Sequence, residues 1–438
     1  SLASGATQSG FGRTGTVDWI TTPKVTGDSP ITAVTGKGYF LNTTAGTITV
    51  NLPAGAAGSI VSLADYANTW ATNNVTVAPN GSEKIGGITE DARLSTEGQS
   101  VTLVYVDGTQ GWINTMDSTS NVRGVPPFPI ATGGTPACGT ICGNYKIHTF
   151  TGPGTFCVSQ VAPGPSGNPN VADYVVVAGG ASGGVRNPGN SNGGGGAGGF
   201  RFRADPSNNP IPGAPALPLN APAGITLATS AYSICVGGGG ASIAGPIPTG
   251  QKGNPGSTST FSTISSTGGG GGGGGYSAKE AGISGGSGGG SAGGVPAGTT
   301  GGAGNTPPVS PAQGTAGGPG GATSPDSGSG GGGGAICAGK GSTCQTANGP
   351  GGDGAGLPTA FGSNGVPCGS YRYYAGGGGG GDNSCHPSPC TASKGGGGSS
   401  STAGTLNSGG GGGGGSTLDN VGSGTGGSGI VIIRYKFQ

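Results

Sequence analysis

An all-β chain in two unlike parts is what this sequence predicts: an N-terminal sandwich or barrel module, then a glycine-rich domain of packed polyglycine II helices on a small β base, with essentially no α-helix. Three observations carry that prediction. Short runs of alternating apolar and polar residues stop near residue 120. Glycine supplies 110 of the 438 residues and from about residue 178 comes in uninterrupted blocks, among them 268–275, 376–381 and 409–415. Apolar islands flank those blocks, at Tyr145 to Phe150, Asp173 to Ala178 and Gly429 to Phe437.

Residues 1–35 are rich in Gly, Thr and Pro around one apolar cluster at Val17, Trp19 and Ile20, and read as an extended arm. Residues 36–120 carry TITVNL (47–52), SVTLVYV (100–106) and similar runs, broken at Pro53-Ala54-Gly55 and Asp107-Gly108. Period-two alternation with β-branched residues and turn-forming breaks predicts a small antiparallel β-sandwich docking module. Residues 121–137 form a Pro/Gly linker, which Pro126-Pro127 makes a semi-rigid spacer. Residues 138–438 form the glycine-rich domain.

The blocks have no side chain to bury, titrate or coordinate, so whatever they do is done by backbone. Ordering glycine costs more backbone entropy than ordering any other residue. Against disorder stand the near absence of charge in the blocks and the isolated apolar residues that fence them, Tyr276, Ile283, Val295, Ile336, Leu357, Phe361 and Leu418. No sustained Gly-X-Y repeat exists, which excludes a collagen helix. The remaining ordered form is a lattice of three-residue-per-turn helices, each N–H bonded to a carbonyl of a neighbour and aided by Cα–H···O contacts. Eight such residues span about 25 Å. The apolar islands then pair with one another as the base from which the blocks extend, since a loose IVIIRY end invites aggregation.

Composition excludes several functions. Charged residues are 8% and the net charge is +1, against about 25% charged in an average domain. Nucleic-acid binding is therefore not expected. No apolar stretch reaches the roughly 18 residues of a membrane span, and no charged-then-apolar leader opens the chain, so no membrane insertion is expected. With two histidines and sparse acids, no Ser or Cys triad can be composed, and the chain is expected to be no enzyme and to need no cofactor. Gly334 to Gly341 (GAICAGKG) nearly matches the phosphate-binding GxxxxGK[ST] pattern, but position 341 is Gly where the Mg²⁺-holding hydroxyl belongs, and no strand and helix frame it.

Nine cysteines, all after residue 137, leave at least one without an intrachain partner. Cys138 and Cys142, Cys337 and Cys344, and Cys385 and Cys390 are close in sequence, and disulfides there would staple loop tips that have no core, each worth about 2–3 kcal/mol. A zinc site at Cys385 and His386 is the competing reading, but no CxxC knuckle supports it, so no metal is expected. For recognition, Tyr371, Arg372, Tyr373 and Tyr374 (SYRYYA) offer amphipathic rings and a guanidinium. The alternative role of those rings is to pack over open lattice ends. A rigid Cys385–Cys390 loop with His386 and Pro387 is a second candidate.

ADYVVVAGGASGG (172–184), GGGGAGGFR (193–201) and GGSGIVIIRYKFQ (426–438) resemble the glycine-rich modules of bacteriophage virion proteins. They look like relatives of the glycine-rich tail-fibre adhesins of T-even-type phages, whose family fold is a polyglycine II sandwich. GKGYFLNTTAGTITVNLP (36–53) with SVTLVYVDGTQGWINT (100–115) resembles a β module of phage tail and fibre proteins. The resemblance implies a non-enzymatic protein of the virion surface, assembled in the host cytoplasm and acting outside the cell. Its partners would be other virion proteins, through the N-terminal module, further copies of itself, and a host-surface protein or glycan. A capsid decoration or head-fibre protein is the alternative, and an extracellular bacterial matrix or filament protein a weaker one.

Overall fold

The computed structural model describes residues 17–118, 128–162, 170–186, 191–206, 211–245, 249–275, 280–294, 299–321, 328–342, 348–382, 393–417 and 421–438. Among these residues no α-helix occurs, and the helical turns are three short 3₁₀ segments, Thr26–Asp28, Leu217–Leu219 and Thr359–Phe361. The chain divides into two compact units, Ser1–Gly124 and Val125–Gln438.

In the first unit one sheet orders strands Asp18–Val25, Lys37–Asn42, Ile60–Asp65, Ser100–Asp107 and Gly111–Ser118, and a second orders Ile31–Thr32, Ile48–Asn51, Val75–Ala78 and Ala92–Leu94. The expected antiparallel pairing holds for the later strands, Ile60–Asp65 with Ser100–Asp107 and Ser100–Asp107 with Gly111–Ser118, and is corrected for the earlier ones. Early strands alternate between the two sheets, so neighbours within a sheet lie one full coil apart and run parallel: Lys37 to Leu41 beside Val61 to Asp65, and Ile48 to Asn51 beside Val75 to Ala78. Alternation reports burial on one face but not strand direction. Leu41, Ile48, Val50, Val61, Leu63, Trp70, Val75, Val77 and Trp112 fill the space between the sheets. Buried Asp65 accepts the amides of Asn68, Thr69, Trp70 and Gly98 at 2.9–3.3 Å, tying two loops to one strand end. Residues 18–25, expected in an extended arm, are the edge strand of the first sheet.

The second unit is built on two sheets. In one, Ile430–Lys436 lies between Tyr145–Phe150 and Val171–Val177, with Thr140–Cys142 and Phe200–Arg203 outside them. The apolar islands thus pair as expected. The other sheet orders Ile130–Thr132, Gly154–Gln160, Ser230–Cys235, Ser259–Phe261 and Ile264–Ser266; residues 130–132, expected in the linker, are its edge. Phe150, Phe156, Tyr174, Val176, Phe261, Val431, Ile433 and Tyr435 pack on one face of the central strands. Val175, Val177, Ile430 and Ile432 pack on the other with Phe200, Phe202, Leu357, Phe361 and Tyr374. Burial on both faces explains why VVV and IVII are continuous rather than alternating.

The glycine blocks run through a hydrogen-bonded array. Residues 193–199 donate in turn to the carbonyls of Gly273, Gly330, Gly412, Gly270, Gly333, Gly409 and Thr267, at 2.8–3.1 Å. Three neighbouring segments accept in rotation, so the bonding pattern repeats every three residues. Extended by Asn192, the same segment accepts from three others: Ala178, Ala181 and Gly184; Ser287 and Gly290; Gly378 and Gly381. Donors and acceptors together join this one segment to six others. None of residues 193–199 has a positive φ, so glycine is not there for a left-handed backbone. It is there for closeness: a Cβ at Gly193, Gly194, Gly195, Gly196 or Gly198 would lie 2.0–2.3 Å from a neighbouring backbone carbonyl oxygen.

Alanine enters where the array meets the apolar core, at Ala197, Ala335, Ala355 and Ala375. Serines inside it turn their hydroxyls back onto carbonyls, as Ser287 does to Gly334 and Ser393 to Gly377.

Candidate functional site

The tyrosine-rich segment forms the middle strand of a three-stranded sheet, Ala355–Pro358, Tyr371–Tyr374 and Val366–Cys368. Strand alternation splits the four candidates between two faces. Tyr374 is fully buried, its ring 6.5 Å from Phe200 and its hydroxyl donating to the Asn364 carbonyl at 2.8 Å. Burial pushes its phenol far above the ordinary range. Tyr374 is therefore a core residue and leaves the recognition set. Tyr373 is 9% exposed and lies on Gly356, where a Cβ would come within 2.8 Å of the ring. Tyr371 is half-buried, edge-on to Tyr373, with its hydroxyl donating to the Gly213 carbonyl at 3.2 Å. Arg372 is half-exposed. His386 and Pro387 lie outside the described residues, as do Cys344, Cys385 and Cys390.

Beside this sheet the second unit carries a cleft of about 230 Å³, lined by Cys337, Lys340, Pro350, Gly351, Asp353 and Ser393 among others. Lattice contacts shape it. Lys340 N–H bonds the Pro350 carbonyl, Cys337 N–H bonds the Asp353 carbonyl, and the Lys394 amide donates to Asp353 Oδ1 at 3.0 Å. Lys394 Nζ stands 5.9 Å from the Tyr373 ring centroid. Among the described residues neither Lys340 nor Lys394 forms an ion pair. Sequence reading picked out Lys340 within GAICAGKG but missed Asp353, Ser393 and Lys394. They come from separate blocks, and no spacing announces the meeting.

The phosphate-loop resemblance of residues 334–341 ends with the geometry. The amides of Gly334, Cys337, Gly339 and Lys340 are all spent on carbonyls of the array. A phosphate cradle needs those N–H groups free and followed by a helix.

The stapled-loop expectation is likewise corrected among the described residues. Cys138, Cys142, Cys157, Cys235, Cys337 and Cys368 are all free, and all but half-buried Cys142 are exposed. From the turn at Cys138 the chain passes through Gly139, with φ near +73°, directly into strand Thr140–Cys142. An extended strand carries Cys142 away from Cys138, and disulfides need Cα atoms within about 7 Å. The described residues contain no group of three or more metal-capable side chains, and none of their helices is long and apolar enough to cross a membrane.

His148 is a structural residue. It is buried, stacks on Tyr435 with ring centroids 5.6 Å apart, and its Nδ1 lies 2.7 Å from the Gly133 carbonyl oxygen, which fixes Nδ1 as the donor. Burial holds its pKa below the usual value, and the Lys146 charge acts in the same direction. A buried ion pair joins Arg434 to Asp173 at 2.5 Å, the guanidinium sitting 4.1 Å from the Phe361 ring centroid and 4.7 Å from that of Tyr145.

The second unit is thus a β base carrying a side-chain-poor hydrogen-bonded array, with side chains gathered at its margins. The chain belongs to the glycine-rich domain family, whose model matches residues 151–436. No curated protein matches it.

Proposed function

We propose that the chain is a non-enzymatic protein of a bacteriophage virion surface, a tail-fibre or tip adhesin that touches the host. In this reading the blocks are polyglycine II helices and serve as a stiff frame. The observation that carries it is the six-neighbour hydrogen bonding of residues 193–199, which lets a side-chain-poor domain hold its margins in place. Preorganised margins bind without an ordering cost at the moment of contact.

The first unit suits attachment to neighbouring virion subunits or to further copies of the chain. It has its own core, and Trp19 on its edge strand, 38% exposed, stacks at 4.8 Å on Phe40 of the neighbouring strand. That exposed stack equally favours the second reading, a decoration or head-fibre protein whose contacts are all within the particle.

Gold-labelled antibody on intact particles, together with binding of the purified fluorescent chain to candidate host cells, tests both. Label at the tail tip and saturable binding to susceptible cells are expected. Label over the capsid without cell binding selects the decoration reading, and absence from any particle overturns both.

A further inference from the structure

The cleft beside the tyrosine sheet brings together charges that are rare in this chain. Lys340 lines it, Lys394 borders it through the amide it gives to Asp353, and neither ammonium is neutralised within the described residues. Two cations with no counter-charge among the described residues favour an anion. Yet the cleft also holds the Asp353 carboxylate, with one oxygen engaged by the Lys394 amide. A bare anion would meet repulsion from that carboxylate, whereas a ligand that offers hydroxyl donors as well as a negative group would use both signs.

The remaining lining suits the same chemistry. Pro350 gives an apolar face, and Gly351 gives backbone in place of side chains. At about 230 Å³ the space is smaller than the roughly 300–1,000 Å³ of sites for drug-sized ligands, so it fits a single ring and not an extended chain. Within 334–341 the amides of Gly334, Ala335, Ile336, Cys337, Gly339 and Lys340 are spent on backbone carbonyls, so recognition of the negative group falls chiefly to lysine side chains. The frame beneath is rigid: Gly352 N–H bonds the Gly332 carbonyl and Gly377 N–H bonds the Gly352 carbonyl.

We propose that this cleft binds one acidic sugar ring, bearing a carboxylate or a phosphate, of a host-surface glycan; the proposal rests on the adhesin reading above. Lys340 and Lys394 take the acidic group, and the free oxygen of Asp353 accepts ring hydroxyls. The test is ligand-observed NMR titration of the full chain with glucuronate, glucose 6-phosphate, glucose and inorganic phosphate. It is run on wild type, Lys340→Gln and Lys394→Gln, with melting temperatures as the check on folding. One of the two acidic sugars is expected to bind at least about tenfold more tightly than glucose, and each substitution to cost about tenfold, the size of one charge-assisted hydrogen bond. Which acid binds identifies the glycan's anionic group.

Glucose binding as tightly as either acid, inorganic phosphate binding as tightly as the sugar phosphate, or a folded Lys340→Gln chain with unchanged affinity would overturn the cleft assignment. A chain that adheres to cells yet binds none of these sugars also overturns it and leaves adhesion standing. Acidic-sugar binding by a chain that adheres to no host supports the cleft and removes the adhesin reading.

Discussion

A single methyl group is the sharpest probe of this protein. At Gly332 an added Cβ would lie 2.0 Å from the Gly195 carbonyl oxygen, while at Gly238 nothing stands within 4 Å. Overpacking a tight interior costs about 1–3 kcal/mol, and here the obstacle is backbone that cannot rotate away. Gly332→Ala should therefore lower the melting temperature of the second unit clearly and Gly238→Ala hardly at all, as calorimetry would show. Equal effects would mean that the segments are not packed as described.

His148 supplies the pH dependence at this scale. Its folded pKa is depressed from 6.5 by burial, so as pH falls through 6.5 the unfolded chain takes up the proton first. The stability His148 contributes is full above 6.5 and is lost as pH drops toward the folded pKa. The difference in unfolding free energy between wild type and His148→Gln should shrink with acidification over that window. A constant difference would contradict the assignment.

At the level of elements, what the sequence disclosed follows the distribution of side chains. The islands at 145–150, 173–178 and 429–437 could be read as strands and as partners, because apolar β-branched runs have one way to be buried in a chain otherwise without a core. Parallel pairing in the first unit could not be read, since Tyr39 and Leu41 alternate with Gly38 and Phe40 whichever way the neighbouring strand runs. Nor could the inward turn of Tyr374, which depends on the register of its strand against Ala355–Pro358. The cleft was illegible for a plainer reason: Lys340, Asp353 and Ser393 are joined only by block packing, and glycine blocks carry no register signal.

The pair between Arg434 and Asp173 tests the base strands. Removing one member of a buried pair leaves the other charge uncompensated and costs about 3–5 kcal/mol. Arg434→Met should destabilise the second unit by that order, whereas the double replacement Arg434→Met with Asp173→Leu should recover much of the loss in denaturant titrations. Additive losses would show that the pair is not coupled.

For the molecule as a whole, two compact units with separate cores should unfold separately. A fragment ending at residue 118 contains all nine strands of the first unit's two sheets and the whole cluster around Trp70 and Trp112. Calorimetry should record a cooperative transition for that fragment, matching one of two in the full chain. Native-state hydrogen exchange adds a second check. The amides of residues 193–199 should exchange as slowly as those of Tyr145–Phe150, because every one is bonded to another segment. Fast exchange there would reduce the array to a collection of tethers.

Strand Ile430–Lys436 occupies the middle of its sheet, between two strands from the start of the same unit, Tyr145–Phe150 and Val171–Val177. Translation therefore delivers the central plank of the base last, after every block that must stand on it has left the ribosome. A chain cut short before Ile430 keeps its blocks and lacks the strand that joins the two halves of their base.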